Sequence, residues 1–413
     1  MSRQDVWVKP FRSELVGQAK QSFATRRVPR EAMSTLVGGA IRPRSGDVVL
    51  ARIARLGHHK HIEQPHGRRS VLHEGDLVIL AYADRYATDQ FESYVPFSLG
   101  TCHMVASGGI ASRVRTRSRA VRPATSIVPI GLVGDPSGRP VNVSDFRLED
   151  IHVPKERPRT VAVMGTSMNA GKTTTLHYLL YGMSKAGVRP GATKVTGTGS
   201  GNDYWVMLDA GAHMMLDFTD AGLAATFQHP ISTLERTMAQ LIGNLTVGGC
   251  GLNLVEIADG VFQQENRRLL VSPVVHDLID TVILAASDAM GAAQGVRTLT
   301  EHGFDVCAVS GLMTKSPLAV REAEAALGLP VLGIPELQDP SVVGPIIGMD
   351  MSLVKPVAEL ELPAWPVPLA GLEPNADVAL GDDGPEEQDY GFPQSDRVAA
   401  HAGGLIDPHA VGA

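Results

Sequence analysis

Cysteine is scarce in this chain, with three in 413 residues, at Cys102, Cys250 and Cys307. Far apart and odd in number, they argue against a disulfide framework and against a CxxC metal site, and they read as core filling. Long apolar runs are absent too. No stretch of about 18 apolar residues occurs, so the chain offers no membrane-span candidate and no membrane partner is expected. The opening "MSRQDVWVKPFRSELVGQAK" lacks the apolar centre of a secretory signal, and a cytoplasmic location is expected. Aromatic residues make up 5% of the sequence, too few beside the basic stretches to form a stacking platform for bases, so no nucleic-acid partner is expected.

What is present divides the chain. The first 159 residues carry an excess of Lys and Arg, residues 160–358 an excess of Asp and Glu, and residues 359–413 are strongly acidic. That last segment, rich in Gly, Pro and Asp around "LGDDGPEEQDYGFPQ", is expected to be a disordered, solvated tail. After an N-terminal segment, 1–45, short β-type runs recur between turn signals: "GDVVLARIARL", "SVLHEGDLVILAY", "GTCHMVASGG", "ASRVRTRSRAV" and "SIVPIGLVG". Their spacing predicts a small all-β, barrel-like domain over 46–150, followed by a linker at 151–159 containing Pro154 and Pro158. From Thr160 the pattern changes to alternating strand and helix, with helices expected from Thr173 to about Lys185 and near 232–247, 292–302 and 317–327. The strands lack polar alternation, as in a parallel sheet covered on both faces, so 160–358 reads as a doubly wound α/β domain.

The stretch "VAVMGTSMNAGKTTTLHYLL", residues 161–180, carries the strongest chemical signal. It approaches the G-x-x-x-x-G-K-[ST] phosphate loop: Gly171, Lys172 and Thr173 are in place, while Thr166 holds the first glycine position and Gly165 stands one residue earlier. Consecutive backbone N–H groups at a helix start make an anion nest, and the lysine adds a positive charge. Thr166, Asn169, Ala170, Gly171, Lys172, Thr173 and Thr174 are therefore the candidate phosphate-binding residues, with Thr173 also offering a hydroxyl to Mg²⁺. The competing reading is an ordinary helix start capped by Asn169 and Thr173.

Downstream, Lys194 ends a predicted strand and runs into "TGTGSGNDYW", where Thr196, Thr198 and Ser200 surround it; a cation there suits charge developing on a transferred phosphoryl group. "LNLVEIADG" ends an apolar strand on Glu256, with Asp259 three residues on; a carboxylate at such a strand end faces the ligand crevice and can hold Mg²⁺. After the strand "VCAVSGL", the "MTKSPL" stretch has Lys315 but Pro317 where a guanine-reading Asp would stand, which favours adenine.

With these residues in view, the "GTSxxxGKT" loop resembles that of dethiobiotin synthetase and its amidoligase relatives, in which an Asp usually occupies the position of Ser167. The resemblance implies ATP and Mg²⁺ as cofactors and γ-phosphoryl activation of a carboxylate or carbamate in a small polar acid or amine. It also implies a lysine at Lys194 touching substrate and transferred phosphate, magnesium ligands at Asp203 and Glu256, and a homodimer with a site near the interface. Asp209 and Asp217 compete with Asp203 as the second acidic ligand. Residues 196–222 also resemble a second P-loop family (DUF1611-type) that includes D-glutamate N-acetyltransferases. That likeness implies acetyl-CoA in place of ATP and gives weight to Asp217 and Asp220. A nucleotide switch without turnover is the third reading.

Three other stretches stand out. "GHHKHIEQPHGRR" offers His59, His61 and Glu63 on one strand face as metal-ligand types, although its flanking Lys60, Arg68 and Arg69 read as a solvated loop. "RVRTRSR" places Arg113, Arg115, Arg117 and Arg119 on one face, expected to be a charged edge strand. "DRYATDQFESYVP", with Tyr86, Phe91, Tyr94, Arg85 and Glu92, reads either as a lid or substrate contact from the barrel or as a plug between domains.

Overall fold

A computed structural model describes residues 5–354, which fall within one compact unit; the acidic tail lies outside the described residues. Five strands close into a ring: β1 (Val48–Arg55), β2 (Leu77–Tyr82), β3 (Cys102–Ala106), β4 (Ile110–Arg117) and β5 (Thr125–Gly134). The pairing runs β5–β1–β2–β4–β3 and back to β5, antiparallel except between β2 and β4. Alternation along β1 explains the closure. Val49, Ala51 and Ile53 point into the barrel with Val78, Leu80, Met104 and Ile127. Val48 and Leu50 point outward, where Phe11, Val16, Val28 and Met33 of the N-terminal segment cover them.

That segment also extends the sheet. Thr35–Gly38 pairs with β5, and Trp7–Pro10 pairs with Thr35–Gly38. Arg113, Arg115 and Arg117 lie on the outer part of β4, which pairs on one side with Phe91–Tyr94, which pairs in turn with Arg85–Tyr86; the other partners of β4 reach only residues 110–112. These arginines are exposed, with Arg115 lying 3.9 Å from Glu92, and Arg119 follows the strand.

Residues 160–354 build a doubly wound α/β layer. β6 (Thr160–Gly165), β7 (Pro190–Lys194), β8 (Met214–Asp217), β9 (Leu252–Glu256), β10 (Thr281–Ala285) and β11 (Val306–Ser310) form a wholly parallel sheet in the order β8–β7–β9–β6–β10–β11. Both faces are covered, so the strands need no polar alternation. Val161 and Val163 of β6 pack with Leu176, Leu179 and Met183 of α1 (Lys172–Lys185), while Ala162 and Met164 pack with Met238 and Leu241 of α3 (Ile231–Val247). Between them runs α2 (Gly201–Asp209); α4 (Ala289–Glu301) and α5 (Pro317–Leu327) follow. Asp288 caps α4, and Ser316 with Pro317 at the first helical position starts α5. Among the described residues, no helix is long and apolar enough to cross a membrane.

Candidate functional site

The order of the parallel sheet sets β6 between β9 and β10, so the loop leaving β6 emerges beside the end of β9, where Glu256 stands. That loop turns into α1 through Gly171, whose φ of +103° is in the left-handed region that glycine tolerates. No side chain caps α1, so the capping role expected of Asn169 or Thr173 in the competing reading is absent. The N–H groups of the first helical turn have no intrahelical acceptor and stay open to an anion. The loop is clamped from outside: Leu312 N–H donates to the Ala170 carbonyl at 3.0 Å, and Gly311 lies so close that a Cβ on Gly171 would stand 2.9 Å from its Cα.

Lys172 is buried and curls back over Gly165, its Nζ donating to the Ser167 carbonyl at 2.8 Å. Burial lowers its pKa, with Glu256 and Asp259 opposing that shift. Asn169, in a left-handed conformation, turns its side chain outward and donates to Asp89 of the barrel at 2.7 Å. Thr166 is partly buried against the loop, and Thr174 is exposed on α1.

Four predicted residues come together at the strand ends. The Thr173 hydroxyl donates to a Glu256 carboxylate oxygen at 3.0 Å. Lys194 lies opposite Glu256 in register and reaches it at 3.4 Å, while also forming a close ion pair with Asp203 in the first turn of α2. Burial works against the Lys194 charge, yet Asp203 and then Glu256 outweigh it and hold its pKa well above the ordinary lysine value. The result is a water-poor cluster of two carboxylates, one hydroxyl and one fixed cation beside the open end of α1. Such an arrangement can hold a divalent cation and a phosphate together.

The rival acidic residues sit elsewhere. Asp209 is exposed at the far end of α2, about 9 Å along the helix axis from Asp203. Asp217 and Asp220 are buried and bound by Arg26 of the N-terminal segment, at 3.1 and 2.6 Å. Arg26 lies over the rings of Phe23 and Tyr204, with its guanidinium carbon 4.0 and 4.8 Å from their centroids. Lys315 ends a short 3₁₀ turn, and Pro317 opens α5. Among the described residues, no group of three His, Cys, Asp or Glu side chains is arranged to hold a metal. His59 instead hydrogen-bonds the Val105 carbonyl, and burial lowers its pKa to about 3. Glu63 accepts from the Gly201 N–H at 2.7 Å and so satisfies the first N–H of α2.

Sequence reasoning passed over several residues around this centre. Gln263 accepts from the Asp259 N–H and donates to Glu265, each at 2.9 Å. Burial, with the Asp259 charge adding to it, raises the Glu265 pKa to about 7. No motif marks these positions; the close approach of Gly260 to Thr166 and Ser167, with the Val261 N–H donating to the Gly165 carbonyl at 2.9 Å, brings their segment to the loop.

No protein-family model matches the chain, and no curated protein matches it in sequence. Among solved structures it is similar to the Signal Recognition Particle 54 kDa protein from Aeropyrum pernix K1 in complex with GDP (20% identity, 47% of each chain covered, TM-score 0.33). It is also similar to chloroplast FtsY from Physcomitrella patens (16%, 46% of this chain and 65% of that one, TM-score 0.31). A third similarity is to the kinase domain of Escherichia coli tyrosine kinase ETK (15%, 36% and 64%, TM-score 0.29). The chain thus spans less than two thirds of each of these proteins. At such low overall similarity they carry no weight for activity, and the description of residues 160–354 as a P-loop α/β fold stands on the sheet order and the loop themselves.

Proposed function

We propose that the protein binds ATP with Mg²⁺ and transfers the γ-phosphate to a carboxylate or carbamate oxygen of a small metabolite, as the resemblance to dethiobiotin synthetase implies. The observation that supports this reading best is the meeting of Thr173, Glu256, Asp203 and Lys194 beside an uncapped helix start. The N–H groups of Gly171 to Thr174 and the Lys172 ammonium cradle the phosphates. Thr173, Glu256 and Asp203 are the residues that would hold Mg²⁺, which neutralises phosphate charge when bound. Lys194 faces the oxygens that gain charge as the γ-phosphoryl group moves. In the transfer, an acceptor oxygen forms the new O–P bond, the bond to the β-phosphate oxygen breaks, and ADP leaves. An amine then attacks the activated carbonyl and releases phosphate.

The acyl-CoA alternative leans on Asp217 and Asp220, and both are engaged by Arg26. Adenine is favoured because Pro317 supplies no carboxylate for guanine. The test is ADP release that requires both Mg²⁺ and an added carboxylate, compared in wild type and Lys194→Ala. We expect a loss of about 10²–10³-fold in turnover with the nucleotide still bound. Unchanged turnover would remove Lys194 from the reaction.

A further inference from the structure

A cleft of about 650 Å³ opens between the barrel and the segment that follows Glu256. We propose that this cleft is the acceptor-substrate site, and that it takes a carboxylate carried on an apolar or aromatic body. The inference rests on the phosphoryl-transfer reading and supplies its missing substrate class.

Both walls are tied to the phosphate loop. On the barrel side, Tyr86 and Tyr94 flank Asp89, which bonds Asn169 of the loop. On the other side, Phe262 and Gln263 follow Gly260, which packs on Thr166 and Ser167. Each wall thus belongs to a segment that reaches the Thr166–Asn169 side of the loop, while no loop residue lines the cleft itself. Gln263 lines it while its side chain holds the Asp259 backbone at 2.9 Å.

The lining has two chemistries. Phe227 lies 5.3 Å from Tyr86 and 6.0 Å from Tyr94, ring centre to ring centre, and makes an aromatic wall. Facing solvent in the same cleft, Phe262 is 62% exposed, a large apolar surface that no described residue covers. Arg267 and Arg268 stand at the end of the short helix Gln264–Leu269, and neither forms an ion pair among the described residues. The one carboxylate on the barrel wall, Glu92, is already engaged by the Tyr94 hydroxyl at 2.7 Å and the Thr116 hydroxyl at 2.9 Å. It fixes the Tyr94 ring and pairs with neither guanidinium; Arg268 donates to the His229 carbonyl at 3.4 Å, and Arg267 is exposed. Guanidinium forks match carboxylates, and ring faces match an apolar body.

The experiment is a ligand-observed NMR titration of the full chain with 3-phenylpropionate, its uncharged counterpart 3-phenylpropan-1-ol, and propionate. We expect 3-phenylpropionate to bind in the millimolar range and the other two about tenfold more weakly. Arg267→Ala and Phe262→Ala, both at exposed positions that leave folding intact by circular dichroism, should each weaken the acid about tenfold. Equal binding of acid and alcohol, or an affinity that neither substitution changes, would overturn the proposal. A parallel titration with a non-hydrolysable ATP analogue separates the two readings. Analogue binding without 3-phenylpropionate binding sinks the acceptor site alone; 3-phenylpropionate binding without analogue binding sinks the nucleotide reading and leaves an anion-binding cleft.

Discussion

Glu265 shows how burial at single residues shapes the molecule's response to pH. Its carboxyl is buried, one of its oxygens has no partner, and its pKa rises from the ordinary 4.5 to about 7. Between these values the folded chain binds more protons than the unfolded one, so this contribution to stability is full below about pH 4.5 and is lost as pH rises toward 7. Glu265→Gln keeps an acceptor for Gln263 and removes the titration. Urea denaturation from pH 4 to 8 should show wild type losing up to about 3 kcal/mol relative to the variant across that window. Parallel profiles would contradict the burial argument. Lys194 is the opposite case, since its ammonium is matched by Asp203 and Glu256 and keeps its charge throughout this range.

At the scale of elements, the phosphate loop depends on backbone conformations and close approach. Gly171→Ala puts a Cβ both in the left-handed region and against Gly311. It should cost about 1–3 kcal/mol in stability and weaken nucleotide binding, read by urea denaturation and by titration. Retained stability and affinity would show that the loop tolerates rearrangement. The elements bearing this loop are legible in the sequence because their signals are local. β6, α1, α3, α4 and α5 follow from apolar runs, Gly-Lys-Thr, and Ser or Asp caps, and Glu256 is readable as a carboxylate ending a buried strand. The strand Met214–Asp217 and the short helix Gln264–Leu269 carry too few residues for a periodic signal, so the segment leading to Gln263 and Glu265 does not announce itself.

In the whole molecule, the long-range contacts are what sequence could not supply. Arg26 binds Asp217 and Asp220 from almost two hundred residues away. Glu63 caps the start of α2, and Asp89 meets the phosphate loop. Each partner is an ordinary charged residue in its own neighbourhood, and only the folded chain pairs them. Arg26→Ala leaves buried Asp217 without an ion-pair partner and Asp220 with Arg27 alone, at 3.4 Å, and should cost about 3–5 kcal/mol, seen as a lower urea midpoint; a cost below about 1 kcal/mol would mean that the cluster hydrates freely. The strand order likewise joins Thr173, Lys194, Asp203 and Glu256 into one site, which holds nucleotide in the proposed reaction. The most direct measurement is calorimetric titration of wild type, Lys172→Ala and Glu256→Gln with a non-hydrolysable ATP analogue, with and without Mg²⁺. We expect saturable, Mg²⁺-strengthened binding to wild type, loss of about 10²-fold or more in Lys172→Ala, and loss of the Mg²⁺ effect in Glu256→Gln. Absence of binding to wild type, or equal binding by all three proteins, would contradict the nucleotide reading.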